Sequence, residues 1–447
     1  LERRGIPTIT LVATRFTVLA NYERKSLGMP DLPVGVVPYP MTGAPIEEAQ
    51  RRARAIRNDL VRALTEGPGD SQIEVDQVRA AMQSESMLVQ DLPDRSLEGI
   101  NRAFFDRKWG DGLPIVPPTA ERVLAMLRFT DRDPSTSLGN MGPLWAPATV
   151  HHLAVNAVMA GCRPEYFPVV LAGIEAILDP RFNLYGVQGT TNPAGVMLMV
   201  NGPIARELEI NGGANLFGQG WYANGTIGRA IRLSMINIGG GRPGEGDMST
   251  LGNPNKWGSC IAEFEEKSPW PAYHVEKGFA ASTSTVTAVA CAAPQNVVEM
   301  SAAPEAILNT MARALTSAGS NTTIFDQQPM VIFSPVQARR LADGGFDKPA
   351  IRRWLWERGR FELDLYDATS QRVIREWKQR CLRNEDGKAY VYPSASAEDI
   401  GIAVGGSDSG PHSAVLATFN GTHLITRAIT RLDGTPVGSV RDLCRGD

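Results

Sequence analysis

No two cysteines in this sequence are spaced as a CxxC motif; the five present stand apart at positions 162, 260, 291, 381 and 444. An odd, scattered set of this kind excludes a disulfide framework and fits a reducing compartment. Long apolar runs are missing as well. With no stretch of about eighteen such residues and no signal peptide, the chain reads as cytoplasmic. Charge of one sign is scarce: the formal net charge is -3 and charged residues make up 21% of the 447. That balance offers no electrostatic handle for nucleic acid or an anionic membrane. No HExxH or comparable spacing occurs, so no tightly defined zinc site is expected, and the residues name no cofactor.

Against these absences the stretch from Asn192 to Phe279 stands out, because it gathers Gly, Asn, one Cys, several carboxylates and a His in loops flanking two apolar segments. Val196 to Val200 (VMLMV) is a run of strand length. Asn201-Gly202-Pro203 then opens IARELEI as a helix, with Asn201 as N-cap, Pro in the first turn, and the N–H groups beyond facing outward as an anion site. In Asn211-Gly212-Gly213-Ala214-Asn215, residues that tolerate positive φ let the backbone approach a ligand. That segment is neither a GxGxxG nor a GxxxxGK[ST] loop, so a nucleotide is not indicated. Asn224 and Arg229, on a helix expected near Thr226 to Asn237, complete the substrate-binding candidates. The glycine-rich run from Gly239 to Asp247 reads as a mobile lid or as backbone wrapped round something.

Gly258-Ser259-Cys260 leads into Ile261-Ala262-Glu263-Phe264-Glu265-Glu266, and Trp270, His274 and Glu276 follow within sixteen residues of the Cys. A thiol becomes a nucleophile when a base or positive charge lowers its pKa, and His274 is the nearest base in sequence. The plainer reading of Cys260 is a small buried hydrophobe. Further candidates lie on either side. His152 sits in VHHLAVNAVMAG, capped by Thr149, where it shares a helix face with Asn156 as a base or a satisfied polar pair. Cys162 lies in the turn before Pro164, near a helix start that could lower its pKa or simply as filler. His412 follows the strand Ile400 to Val404 in a Gly-rich turn, a place where open α/β sheets hold ligands. The helix KPAIRRWLWERGR, Lys348 to Arg360, reads most simply as a solvated basic face, though an arginine on it could reach an anionic substrate.

The expected fold class is α/β, with mixed sheets flanked by helices, a truncated Rossmann-like N-terminal part and a larger α/β core. Residues 1–66 form the partial unit: LERRG as the last turn of a helix, a strand from Ile6 to Ala13, helices at 15–27 and 46–66, and a strand at Val34 to Val37. Glu66 to Asp70 is a linker, with helices expected near 74–83 and 96–107. A central domain is expected over 71–300, and a portion over 301–447 completes the pocket. Strands are expected at 283–292 and 330–334, and helices at 304–318 and 335–343. No internal repeat is evident beyond a loose likeness between the strand-to-turn units at 196–203 and 400–413.

LERRGIPTITLV, DGLPIVPPTAERVLAML, LAVNAVMAGCRPEYFPVVLAGIEAIL, NGPIARELEINGGANLFG with NGTIGRAIRL, and CIAEFEEKSPWPAYHVEKGF together resemble the UGSC family of bacterial proteins, some of which are selenoproteins. The resemblance implies thiol-based reductase chemistry. The family's namesake motif, selenocysteine or cysteine followed by Gly-Ser-Cys, would fall before Leu1, and Gly258-Ser259-Cys260 is not its equivalent. The chain is then a fragment, or a partner chain supplies the motif, or the chemistry does not depend on it.

Three functions follow. One is an enzyme acting on a small anionic or carbonyl-containing molecule through a Cys260 thiolate, with His274 or His152 as proton acceptor and backbone N–H groups near Asn201 and Asn211 holding an oxyanion. Another is a hydrolase or lyase using Glu263, Glu265 or Glu266 with His152, with or without a metal. The third is a small-molecule-binding subunit. Self-association, or pairing with a chain that completes the first unit, is expected from the sheet edge left open there.

Overall fold

The computed structural model describes residues 6–37, 46–66 and 92–444. The expected helix end at residues 1–5, the linker beyond Glu66 and the helix near 74–83 lie outside these. The N-terminal unit runs β1 (Thr10–Ala13), α1 (Thr17–Ser26), β2 (Val34–Val37) and α2 (Ile46–Glu66), with β1 and β2 paired in parallel. It rests on the remainder through Glu23, whose carboxylate accepts from Tyr185 Oη at 2.8 Å and Trp145 Nε1 at 3.3 Å.

Capping residues start the next helices. Ser96 caps α3 (Leu97–Asp106), Thr119 caps α4 (Ala120–Leu127), and the hairpin of β3 (Ser137–Met141) and β4 (Ala146–Thr149) ends on the Thr149 cap of α5 (Val150–Ala160). Gly161, at φ 87°, closes α5. Next come α6 (Phe167–Ile177) and α7 (Leu184–Gly189), then β5 (Gly195–Asn201), α8 (Pro203–Glu207), α9 (Tyr222–Asn237) and β6 (Ser259–Ala262). The chain continues through α10 (Tyr273–Glu276), β7 (Thr285–Cys291), β8 (Gln295–Val298), α11 (Pro304–Leu315), α12 (Asn321–Ile324) and β9 (Met330–Phe333). It finishes with α13 (Pro335–Asp343), α14 (Lys348–Arg358), β10 (Phe361–Glu362), α15 (Ala368–Trp377), β11 (Leu382–Glu385), β12 (Lys388–Val391), β13 (Gly401–Val404), β14 (His412–Leu416) and β15 (Ile425–Ala428).

Two four-stranded sheets make the core, ordered β15-β7-β5-β6 and β13-β9-β14-β8. Period-2 alternation divides their side chains. Leu198, Val200, Cys260 and Ala288 face the helices α5, α6 and α9, whereas Met197, Met199, Ile261 and Val289 meet Met330, Ile332, Ala403 and Leu416 of the second sheet. That sheet's other face, with Val331, Phe333, Ile402 and Val404, packs on α11, α13 and α14. The result is four layers: helix, sheet, sheet, helix. Burial on both faces makes β5 a continuous apolar run, while β7, equally buried, opens with Thr285 and Thr287.

The sheets repeat one another. In each, a strand leads through helices to a parallel neighbour (β5 to β6, β9 to β13), and an antiparallel strand (β7, β14) lies on the first strand's other side. The edge strands are exchanged: β8 follows β7 in the chain but pairs with β14, and β15 follows β14 but pairs with β7. The sequence reading finds only a loose likeness between the units at 196–203 and 400–413, whereas in the structure the counterpart of β5 is β9 and that of β6 is β13. What repeats is hydrogen-bond topology, and side-chain identity does not follow it.

Candidate active site

Parallel β5 and β6 end side by side, Val200 opposite Ala262, so the residues that come next, Asn201 and Glu263, meet at the carboxyl edge of the sheet. Asn201 Nδ2 donates to Glu263 Oε2 at 2.6 Å and to Glu265 Oε1 at 2.9 Å. With Nδ2 turned to the two carboxylates, Asn201 Oδ1 is left buried with no hydrogen-bond partner among the described residues. The Gly202 N–H adds a bond to Glu265 Oε1 at 2.7 Å.

Glu263 is the centre of this cluster. It also accepts from the backbone N–H groups of Tyr273 at 2.7 Å and Val404 at 3.4 Å, so both sheets grip it. Burial pushes its carboxyl above the ordinary range, opposed mainly by the Lys348 ammonium, 3.8 Å from Oε1. Lys348, itself buried, donates to Glu276 Oε2 at 3.0 Å and to the Pro271 carbonyl at 2.8 Å, and Arg352 donates to the same Glu276 oxygen at 3.1 Å. His274 is fully buried, with Nδ1 3.8 Å from Glu265 Oε1. Neither its ring nitrogens nor the Tyr273 hydroxyl has a hydrogen-bond partner among the described residues. Orphaned polar atoms beside buried carboxylates ask for a functional explanation.

A cavity of about 560 Å³ opens against the cluster, lined by Gly202, Arg206, Asn211, Tyr222, Glu263 and Glu265 among others. Arg163 lies over the Tyr222 ring at 5.1 Å, and Arg206 pairs with Glu266 at 2.9 Å, so two guanidinium groups stand at the wall. No group of three or more His, Cys, Asp or Glu able to hold a metal occurs among the described residues.

The sequence candidates divide. Gly202, Asn211, Gly212, Gly213 and Glu263 line the cavity, with Asn201 and His274 directly behind. Asn201 does not cap a helix. It remains in β5, the five-residue α8 starts at Pro203, and the amides expected to face a ligand are taken by the chain: Gly202 N–H by Glu265 and Ile204 N–H by Ser284 Oγ at 2.9 Å. Asn224 holds the Asn211 backbone through two bonds, at 2.8 and 3.1 Å. Arg229 makes a bidentate pair with Asp111 at 2.7 and 2.9 Å, so it fixes the 111–114 segment and does not reach the cavity.

The thiols sit elsewhere. Cys260 points into the helix-side core, 3% exposed, and burial pushes its thiol well up; Cys162 is pushed up to about 12 by burial as well. Neither lines the cavity, and a packed, protonated thiol is a poor nucleophile. The His152 ring lies 3.4 Å from the Pro147 carbonyl and outside the cavity lining. His412 and Asn215 line a different cavity, of about 580 Å³, with Ser334, Gly405 and Gly406. There His412 Nδ1 lies 3.0 Å from Asn296 Oδ1. Asn215 also donates to the Gln219 carbonyl, an internal loop bond.

Residues 1–66 match the model of the UGSC family. The match spans 66 of the 447 residues and marks a similarity of the N-terminal unit alone. The UGSC match stops before the first cavity residue, Arg163, so it covers none of the site, and the further segments expected to share the resemblance lie outside it. No curated protein and no solved structure matches the chain. Beyond the UGSC unit, geometry alone speaks for the site.

Sequence reasoning missed Lys348 and Tyr273 and did not single out Arg352 among the arginines of its helix. A signal for two of them was present: Lys348, Ile351, Arg352 and Leu355 fall at i, i+3, i+4 and i+7, one helix face, and Ile351 and Leu355 are fully buried. The solvated face expected for this helix is corrected on that side, since these two cations turn inward to Glu276.

Proposed function

We propose that the chain is an acid–base enzyme, a hydrolase or lyase, acting on a small anionic or carbonyl-containing molecule in the 560 Å³ cavity. The observation that carries this reading is the Glu263–Glu265 pair held on one Asn201 amide, with Glu265 at the cavity wall and the His274 ring behind it. Glu265 is the base that meets substrate, taking a proton from a water or from a carbon beside a carbonyl. Glu263 and Lys348 act through it, holding the cluster's charge and geometry. Arg163 and Arg206 are placed to receive an anionic end. Support for a cytoplasmic setting comes from cysteines that form no disulfide among the described residues; no helix there is long and apolar enough to cross a membrane.

The test is a screen of small esters, lactones and hydroxy or keto acids by proton release in weak buffer, repeated on Glu265→Gln and Cys260→Ser. Glu265→Gln is expected to lose about 10²–10⁴-fold in rate, while Cys260→Ser keeps its turnover. The reverse pattern would return the chemistry to the thiol, and binding without turnover would leave a small-molecule-binding subunit.

A further inference from the structure

A second cavity, of about 1060 Å³, lies on the other side of α9, between α3 with the 108–115 segment and the loop that follows the glycine run. It shares no lining residue with the cavity holding Glu265. At its floor Asp247, 4% exposed, accepts from Arg232 Nη2 at 2.9 Å and from Lys256 Nζ at 2.9 and 2.8 Å. Arg232 is itself 7% exposed. Two cations thus face one carboxylate out of water, and among the described residues no second carboxylate pairs with either. Burial pushes the Lys256 ammonium down, and the Arg232 charge adds to this against the pull of Asp247. The rim repeats the imbalance, because Lys108 at 2.7 Å and Arg242 at 4.0 Å share Glu245. The buried Arg242 Nε has no hydrogen-bond partner among the described residues. A net positive charge held at low dielectric is costly unless something compensates it.

The walls are of another character. Leu251 is 90% exposed, Phe105 71%, Trp257 55% and Leu113 44%, four large apolar side chains around one opening. Concave apolar walls around a few convergent charged groups are the usual composition of a small-molecule site. The glycine run does not make it a dinucleotide turn. Gly239, Gly241 and Gly244 have the spacing of such a fingerprint, but the run leaves a helix instead of a strand, and Gly239 and Gly241 are pressed against the Gln188 side chain.

We propose that this cavity binds an organic anion, its acid group compensating the Arg232–Asp247–Lys256 floor and Arg242, and its apolar body lying on Phe105, Leu113, Leu251 and Trp257. The acid group is a phosphate or a carboxylate, and the two are separable by probe. The same chain holds this site apart from the acid–base cluster, so one can fail without the other.

Calorimetric titration of the full chain with phenyl phosphate, benzoate and inorganic phosphate tests the assignment. One of the two aromatic anions is expected to bind saturably, one per chain, at least about tenfold tighter than inorganic phosphate, the gain coming from the apolar wall. Arg242→Ala, at the rim where folding is least at stake, should weaken it about tenfold or more. Leu251→Ser should weaken the aromatic anion and leave inorganic phosphate unchanged, while Arg206→Ala, in the other cavity, should alter neither. Three results would overturn the proposal: no saturable heat with either aromatic anion, binding indifferent to both Arg242→Ala and Leu251→Ser, or binding lost in Arg206→Ala.

Discussion

Glu263 and Lys348 are 0% and 2% exposed at the side chain, and neither can lose its partner cheaply. Removing one member of a buried pair leaves the other uncompensated, at a cost of about 3–5 kcal/mol. The pH dependence follows from the direction of the Glu263 shift. Its folded pKa is raised above the ordinary 4.5, so the folded state holds this proton more tightly than the unfolded chain does. The associated stability is full below 4.5 and is lost as the pH rises through the folded value. Lys348 opposes the shift, so Lys348→Met raises the folded value further. Urea unfolding should therefore find Lys348→Met close to wild type near pH 4.5 and about 3 kcal/mol less stable at pH 8, with Glu263→Gln on top restoring part of the loss. A deficit that does not change with pH would mean that Lys348 acts through packing alone.

At the scale of elements, α9 is the piece on which both cavities depend, since Tyr222 lines one and Arg232 the other. Its distance from β6 is set by a glycine: a Cβ at Gly228 would run into the backbone of Gly258 and Ser259. Gly228→Ala gains about 1 kcal/mol of helix propensity, but the collision is with main chain that cannot rotate aside, and overpacking of this kind costs about 1–3 kcal/mol or more. A net loss of about 2 kcal/mol is expected in thermal or urea unfolding, and an unchanged or raised midpoint would show that α9 can lift off β6 freely. The elements themselves were largely legible. Val34–Val37, Pro335–Asp343 and the Thr119 and Thr149 caps stand where alternation, proline and capping chemistry put them. The face presented by α14 was less so, because basic residues at 348 and 352 look solvated until a buried Glu276 is seen beneath them.

Across the whole molecule the exchanged strands β8 and β15 tie the halves together. A cut near residue 300 would leave the β5–β7 sheet without β15 and the β9–β14 sheet without β8, each exposing an unpaired edge. Residues 92–300 and 301–447 expressed separately are therefore expected to be insoluble or to melt without cooperativity, and to regain a single cooperative transition when coexpressed. Independent cooperative melting of either half would show that the exchanged strand contributes little. The repeat also shows what stands in the second sheet where the carboxylate pair stands in the first. By register, Ser334 and Gly405 occupy in the second sheet the places of Asn201 and Glu263 in the first. That equivalent edge carries His412 but no carboxylate pair.

Local rules on the chain determined the α/β class, the apolar strand β5 and the Thr149 cap, because period, proline, glycine and capping chemistry act over a few residues. Only the tertiary structure decided that Cys260 turns into the helix-side core while Glu263 and Glu265 converge on Asn201. Adjacent residues on a strand face opposite layers, and which layer holds water or packed helix is fixed by segments as far away as Val404 and Lys348.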